Sequence, residues 1–179
     1  MDKRELRRAV SLKIAEMGDK EKAEESAAVA AKIKAFGFRG KKIFAYNALP
    51  DELDVSELVG ALAEDNEVYL PVVDGERSMS LARYDGSWEK GAFGIQEPTG
   101  SRYSAAEVSP EVCLVPLRAF DDDLNRLGRG KGYYDAFFTS CDCLRIGLAF
   151  ECQKVEKIPV EPHDVKLDLV VTASETYRK

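Results

Sequence analysis

A glycine-rich segment with three interleaved cations is the part of the sequence best suited to chemistry. Glycine lets the backbone adopt positive φ values and lets a ligand approach the main chain closely. Successive exposed N–H groups in such a loop form an anion site, and the helical pattern after the last glycine adds a helix amino terminus. The segment therefore predicts a phosphate-binding loop. Its residues are Asn125, Arg126, Leu127, Gly128, Arg129, Gly130, Lys131, Gly132, Tyr133, Tyr134 and Asp135.

The spacing of this loop differs from the two common phosphate-binding motifs. No Gly-Lys-Ser/Thr sequence ends it, and Tyr133 stands where the dinucleotide fingerprint has its third glycine. The apolar run 112–117 before it predicts a buried strand. Strand, loop and helix in this order are typical of a ligand loop in an α/β sheet. A flexible basic loop before a helix is the alternative that the spacing leaves open.

Segment 125–135 resembles the signature of the 5-formyltetrahydrofolate cyclo-ligase family, also called methenyltetrahydrofolate synthetase. Weaker motifs in the family's order extend the resemblance over most of the chain. They are Lys3 with Arg7, 50–54, 69–71, 93–98 and 163–168. The resemblance implies ATP-dependent conversion of 5-formyltetrahydrofolate to 5,10-methenyltetrahydrofolate, with release of ADP and phosphate. It also implies that the formyl oxygen is phosphorylated before N10 closes the ring.

The resemblance implies an ATP site formed by the amino terminus and the glycine loop. The catalytic residues would be Arg126, Arg129 and Lys131, because phosphoryl transfer is catalysed mainly by positioning and charge stabilisation. Without the resemblance, Lys3 and Arg7 would be interpreted as a solvated basic edge of a helix. The implied ATP contacts are Lys3, Arg4, Glu5, Leu6, Arg7, Arg126, Leu127, Gly128, Arg129, Gly130, Lys131, Gly132, Tyr133 and Tyr134.

The resemblance places the reduced folate on a second loop as well. Asn47 and Glu52 follow the apolar run 43–46, and loops beyond strand ends bind ligands in α/β sheets. Glu52 would accept hydrogen bonds from the pterin, whereas a surface acid before a helix is the alternative. Trp88 and Phe93 stay open between stacking on the pterin and packing in the core. The implied folate contacts are Asn47, Glu52, Trp88, Phe93, Arg129, Gly130, Lys131, Gly132 and Tyr133.

Two aspartates match the family's magnesium positions, Asp135 and Asp168. Oxygen ligands are what Mg²⁺ requires, although Asp135 alone would equally suit the first turn of a helix. The run 121–123 is predicted to be a solvated turn. His163, the only histidine, is predicted to be structural because the implied chemistry needs no base there. ATP as co-substrate and Mg²⁺ as cofactor are thus both expected.

Helical and strand periodicities alternate along the chain. They predict one α/β domain over residues 1–179, with a mostly parallel central sheet in a three-layer α/β/α arrangement. Helices are predicted at 2–17 and 20–36, the first with an apolar stripe, and an antiparallel strand at 79–84. The stripe consists of Leu6, Val10, Ile14 and Met17.

Composition predicts the compartment and the class of partner. The net charge of −6 argues against nucleic acid as a partner. No apolar run reaches the length of a membrane span, and the charged first residues lack the apolar core of a signal peptide. The four cysteines are expected to be free thiols. A cytoplasmic monomer that binds small molecules, with no nucleic-acid or membrane partner, is therefore expected.

Two other functions remain open from the residues alone. A sugar-phosphate isomerase would use the same anion loop without ATP, but no clear Glu or His stands next to the loop in sequence to act as its base. A non-catalytic folate or nucleotide-binding regulator would not need the full cationic set of the loop. ADP release that depends on 5-formyltetrahydrofolate would separate all three functions.

Overall fold

The computed structural model describes residues 1–73, 75, 78–90 and 96–179, with Trp88 and Gln96 described by their backbone alone. The helices are α1 (Lys3–Glu16), α2 (Asp19–Ala35), α3 (Ser56–Ala63), α4 (Ala105–Val108) and α5 (Tyr133–Phe138), with a 3-10 helix at Glu151–Gln153. The strands are β1 (Lys42–Phe44), β2 (Glu67–Val73), β3 (Met79–Arg83), β4 (Trp88–Lys90), β5 (Gln96–Pro98), β6 (Arg102–Tyr103), β7 (Val112–Pro116), β8 (Ala119–Phe120), β9 (Arg126–Leu127), β10 (Leu144–Leu148), β11 (Leu169–Val171) and β12 (Thr176–Arg178).

One large sheet organises the described residues. Eight strands follow the order β12-β11-β10-β7-β1-β2-β3-β6. The five central strands from β11 to β2 are parallel, and β3, β6 and β12 are antiparallel additions at the two edges. This sheet confirms the predicted α/β class and its mostly parallel character.

Side chains alternate between the two faces of the sheet and give it two separate cores. Ile43 and Leu114 pack with α1, α2 and α3 on one face. Their neighbours Phe44 and Val115 pack on the other face with Phe137 of α5 and with α4. Burial on both faces explains why these strands are continuous apolar runs. The helices thus form the outer layers of a three-layer domain.

Helix α1 is fixed to the protein by the stripe that the sequence predicts. Leu6, Val10, Ile14 and Met17 are each at most 9% exposed. Asp2 caps the helix through a reciprocal capping box with Glu5, which satisfies free N–H groups of the first turn. The first turn is therefore anchored, and its cations have defined positions.

The connection from β7 to the glycine loop differs from the prediction. A two-stranded antiparallel ribbon, β8 with β9, lies between them. The prediction that 121–123 is a solvated turn is wrong for Asp121, which is 1% exposed. Its carboxylate accepts hydrogen bonds from the N–H groups of Asp123, Asn125 and Ile158. Asp121 is buried because it satisfies the backbone of the turn.

Two further features of the described residues bear on the expectations from composition. No helix among them combines the length and the apolar character needed to cross a membrane. Cys113, Cys141, Cys143 and Cys152 are free thiols, as predicted.

Candidate active site

A cavity of about 330 Å³ lies at the carboxyl ends of the central parallel strands. Tyr46 and Asn47, which follow β1, line it together with Pro116 at the end of β7. Strand β1 pairs with β2 on one side and with β7 on the other, so the order of strand addition changes direction across the sheet at β1. Open α/β sheets bind ligands at such a switch point.

The cavity collects most of the predicted site residues. Those that line it are Lys3, Arg7, Asn47, Glu52, Arg126, Leu127, Gly128, Arg129, Gly130, Lys131, Gly132, Tyr133, Tyr134 and Asp135. Other residues line it that the sequence analysis did not select. They are Tyr46, Leu49, Pro71, Val73, Met79, Glu97, Pro116, Leu117, Glu161, His163 and Asp164.

The glycines of the loop are required by close contacts and by backbone conformation. A Cβ atom on Gly128 would lie 2.9 Å from Nη1 of Arg126. Gly130 and Gly132 have φ values of 95° and 74°, which side chains with a Cβ rarely adopt. Gly132 is also the N-cap residue of α5. The loop therefore lies close to its own cations and leads directly into α5.

Arg126 is bound chiefly to protein groups. Its side chain is 4% exposed, and it donates to the carbonyl of Pro116 and to Oδ2 of Asp135, each at 3.3 Å. The guanidinium lies 5.4 Å from the centre of the Tyr134 ring. Its buried Nε has no hydrogen-bond partner in the part of the chain that the structure describes. Arg126 thus fixes Asp135 and retains one donor that a ligand or water would satisfy.

Arg129 is held by the acidic loop, residues 47–52, which follows β1. Its Nε donates to Oε1 of Glu52 at 2.8 Å, and its Nη2 forms an ion pair with Asp51. Burial acts to lower the pKa of Arg129, but the hydrogen bonds with Glu52 and Asp51 raise it. For Asp51, burial acts to raise the pKa, but the hydrogen bonds with Arg129 and Arg118 lower it. The predicted phosphate cation and the predicted folate acid are therefore in contact.

Lys131 and Arg7 have fewer protein contacts. Lys131 is exposed and forms no ion pair with any residue that the structure describes. Arg7 donates from Nε to the carbonyl of Gly128 at 2.7 Å, and its guanidinium also approaches Gly130. It likewise has no carboxylate partner among the described residues. These two side chains are the cations best able to accept an anionic ligand.

Lys3 lies in an acidic cluster that also lines the cavity. Its ammonium group bonds to Asp164 at 2.6 Å and to Glu161 at 2.7 Å. Burial acts to lower the pKa of Lys3, but these two carboxylates raise it. His163 is 72% exposed at the side chain and lies 3.7 Å from Glu161. Lys3 is thus neutralised by protein acids in this structure.

The two predicted magnesium ligands have different surroundings. Asp135 lines the cavity, and its Oδ1 accepts the N–H of Val165 at 3.3 Å. Asp168 precedes β11 and is bonded to the N–H and Nε of Arg145. Because the central strands are parallel, the start of β11 lies at the amino ends of the strands, opposite to the cavity at their carboxyl ends. A different aspartate, Asp164, lines the cavity together with Asp135.

Three further predicted contacts, Arg4, Glu5 and Leu6, do not line the cavity in the described structure. Arg4 and Glu5 are exposed on α1, and the side chain of Leu6 is part of the core. Phe93 lies outside the described residues. Trp88 begins β4, and its side chain also lies outside what the structure describes. The predicted stacking of these two aromatic residues on the pterin therefore stays a prediction.

Sequence reasoning assigned no site role to two buried polar residues of the cavity, Glu97 and Tyr46. Glu97, at 8% exposure, faces the cavity among the apolar side chains of Pro71, Val73 and Met79. The Tyr46 hydroxyl donates to the carbonyl of Leu53, and burial raises its pKa well above the usual value. No periodic pattern distinguishes such residues from neighbouring core positions.

Comparison with known proteins decides the family. A model of the 5-formyltetrahydrofolate cyclo-ligase family matches residues 1–173. The chain belongs to the 5-formyltetrahydrofolate cyclo-ligase family. The cyclo-ligase of Haemophilus influenzae is 34% identical over 146 residues, which cover 74% of this chain and 76% of that protein. The cyclo-ligase of Escherichia coli K12 is 33% identical over 138 residues, which cover 70% and 74% respectively.

Solved structures of cyclo-ligase relatives share the fold. The NMR structure of Aquifex aeolicus 5,10-methenyltetrahydrofolate synthetase is 33% identical to this chain, with a TM-score of 0.87. The match covers 99% of this chain and 93% of that one. A methenyltetrahydrofolate synthetase from Mycoplasma pneumoniae, 24% identical, has a TM-score of 0.80. The latter match shows the common fold alone.

Proposed function

We propose that this cyclo-ligase family member converts 5-formyltetrahydrofolate and ATP into 5,10-methenyltetrahydrofolate, ADP and phosphate. One observation carries the proposal: the glycine loop, Arg7 of α1 and Glu52 of the acidic loop line a single cavity at the switch point of the sheet. Such a cavity holds a phosphate donor and an acceptor side by side. Membership of the family gives the reaction its identity.

The reaction needs activation of an unreactive carbonyl group. The formamide carbon is a poor electrophile, and its oxygen is a poor leaving group. Attack of that oxygen on the γ-phosphorus breaks the bond to ADP and forms a phosphorylated intermediate. The N10 lone pair then bonds to the formyl carbon, N10 loses its proton, and the C–O bond breaks. The formyl oxygen leaves as part of the phosphate, and the positive charge of the product is delocalised over N5 and N10. No protein nucleophile takes part.

The role of the protein is to position charge around the transferring phosphoryl group. Lys131 and Arg7 would neutralise its oxygens, because neither has a carboxylate partner among the described residues. The backbone N–H groups of the glycine loop would add donors. Arg129 would approach the phosphoryl group from the side of Glu52. Preorganised groups of this kind typically supply about 10²–10³ in rate for each donor.

The folate would occupy the side of the cavity that carries Glu52. The carboxylate of Glu52 is oriented by Arg129 and by the N–H of Leu49, which donates to it at 2.9 Å. Pro71, Val73 and Met79 provide an apolar wall of the same cavity. An oriented acid beside an apolar wall suits a flat ring with N–H donors at one edge.

The acids of the cavity fit Mg²⁺, the ion that we propose accompanies ATP. Mg²⁺ prefers carboxylate and phosphate oxygens and retains several waters. Asp135 and Asp164 line the cavity beside the loop, and we propose these two as its ligands in place of the pair with Asp168. When bound, the ion would supply positive charge to the phosphates. Asp164 would exchange its Lys3 partner for the ion.

The isomerase alternative requires a base close to the anion loop. No Glu or His stands next to the loop in sequence, yet the fold brings Glu52 into contact with Arg129 of the loop. Arg129 occupies that carboxylate through a hydrogen bond of 2.8 Å, and the family membership favours the ATP-dependent reaction. A requirement for ATP distinguishes the two activities directly.

The test is the formation of methenyltetrahydrofolate, followed by its absorbance, from 5-formyltetrahydrofolate, ATP and magnesium. Product should form in proportion to ADP, and no product should form without ATP. A folded protein that gives no product would overturn the proposal. We also propose that the protein acts in the cytoplasm, where its free thiols stay reduced, and as a monomer, which light scattering would test.

A further inference from the structure

Arg118, in the connection between β7 and β8, is a buried arginine outside the cavity. Its side chain is 9% exposed. Nη1 donates to Oδ2 of Asp51 at 2.6 Å, and Nη2 donates to Oγ of Ser11 at 2.7 Å. A buried cation is retained only where its partners are well placed. Arg118 therefore holds both α1 and the acidic loop at fixed positions.

Asp51 links Arg118 to the site. One carboxylate oxygen binds Arg118, and the other binds Arg129. Arg129 lines the cavity, whereas neither Asp51 nor Arg118 does. Asp51 therefore contacts Arg129 from outside the cavity, and its other partner, Arg118, is itself fixed by Ser11.

The anchoring of Arg118 reaches two further elements. Its N–H donates to the carbonyl of Leu127, just before the glycines, at 2.7 Å, and its carbonyl accepts from Nε2 of Gln153 at 3.2 Å. Ser11 donates to the carbonyl of Arg7 within α1 at 2.7 Å. The chain of contacts thus joins the three segments that carry the proposed phosphate and folate groups.

We propose that Arg118 and Asp51 are positioning residues that hold the guanidinium of Arg129 at the wall of the cavity. The inference rests on the proposed function, in which Arg129 acts on the phosphoryl group. An arginine side chain has many rotamers, and Arg129 is 37% exposed, so its position depends on its partners. A displacement of about 1 Å at a reacting centre can cost about 10²-fold in rate.

The test is a pair of double-mutant cycles on kcat. Arg118→Met and Asp51→Asn are each made in the wild type and in an Arg129→Ala background. In the wild type, each change should lower kcat on the order of tenfold and leave the KM for the folate nearly unchanged, since Glu52 retains its bond from Leu49. In the Arg129→Ala background the same changes should have less than about a twofold effect, because their target is gone.

The matched control for Arg118→Met removes the cation of an ion pair that lies away from the cavity. Lys41, just before β1, pairs with Glu111 at 2.9 Å. This pair lies at the amino ends of the strands, away from the cavity. Lys41→Met should leave kcat unchanged. Arg118→Lys should restore part of the lost rate, because an ammonium group can still bind Asp51 but cannot also reach Ser11. If Arg118→Met does not fold, Asp51→Asn serves, because Asp51 is 40% exposed.

The outcomes separate the inference from the proposed function. A tenfold loss that persists in the Arg129→Ala background, or no loss in the wild type, would overturn the positioning role. A wild-type protein that forms no methenyl product would instead overturn the proposed function. Loss of kcat that disappears without Arg129 would support both.

Discussion

Gly128→Ala is the substitution whose effect follows most directly from the geometry of the loop. The added Cβ would lie 2.9 Å from Nη1 of Arg126, closer than real Cβ contacts allow. Arg126 is 4% exposed, so its guanidinium has little room to move. We expect it to lose its bonds to Pro116 and to Asp135, both 3.3 Å long.

The magnitude can be worked from those two bonds. Loss of hydrogen bonds to a charged group typically costs about 1.5–3 kcal/mol. Both bonds are long, so each should contribute less than a typical bond to a charged group, and we expect the loss of the two together to lower the unfolding free energy by about 2 kcal/mol. Asp135 would also lose the partner that fixes it in the cavity. We therefore expect kcat to fall by about 10²-fold, through misplacement.

The measurement is urea unfolding together with steady-state formation of methenyltetrahydrofolate. Gly132→Ala is the matched control, since its Cβ would meet nothing within 4 Å while its φ is +74°. That variant should lose about 1 kcal/mol through backbone strain alone. Gly60→Ala, inside α3 with open space around the added Cβ, should gain about 0.5–1 kcal/mol.

Equal losses in Gly128→Ala and Gly132→Ala would refute the reasoning, because the contact with Arg126 would then contribute nothing. Unchanged kcat in a destabilised Gly128→Ala protein would show that Asp135 does not need Arg126.

Four further predictions concern single side chains of the cavity. Lys131→Ala should lower kcat by about 10²–10³-fold with nearly normal binding of the folate alone by titration, and near-normal turnover would contradict its role. Glu52→Gln should raise the KM for the folate and leave that for ATP unchanged, whereas equal effects on both would mean that Glu52 holds the whole site. Asp135→Asn should raise the magnesium concentration needed for half-maximal rate, because an amide is a poorer ligand; an unchanged titration would leave Asp135 a structural partner of Arg126. For Asp164, burial acts to raise the pKa, but the hydrogen bond from Lys3 outweighs burial, so the pKa in the folded protein is lowered. The ionised carboxylate should therefore stabilise the fold above the unfolded pKa of about 3.9, and this stabilisation should be lost as pH falls through the folded pKa. The unfolding free energies of the wild type and Asp164→Asn should converge on acidification, and a constant difference would exclude ionisation as the cause.

Much of the fold was predictable because apolar periodicity reports burial directly. The stripe of Leu6, Val10 and Ile14 predicted α1 and its buried face. The ribbon of β8 and β9 was not predictable in this way, since strands of two residues show no period. Asp121 was misread because three consecutive aspartates suggest solvent, whereas this one is buried to bond the backbone of its own turn.

The site was predictable where motif residues are adjacent in sequence. The glycine loop and Glu52 were found from their own segments, and the structure brings them into contact through Arg129. Asp168 and Asp164 are four residues apart, and only the turn before β11 decides which one lines the cavity. The role of Arg118 could not be predicted, because a single arginine after an apolar strand does not indicate a function. Only the fold brings Asp51 and Ser11 into contact with it.

The central claim is that the formyl oxygen is phosphorylated before the ring closes. The most direct measurement uses 5-formyltetrahydrofolate labelled with ¹⁸O in its formyl group, with unlabelled ATP and water, and mass analysis of the phosphate released. The account predicts one ¹⁸O atom in each phosphate formed together with the methenyl product. Label that appears in water while the phosphate stays unlabelled would contradict it.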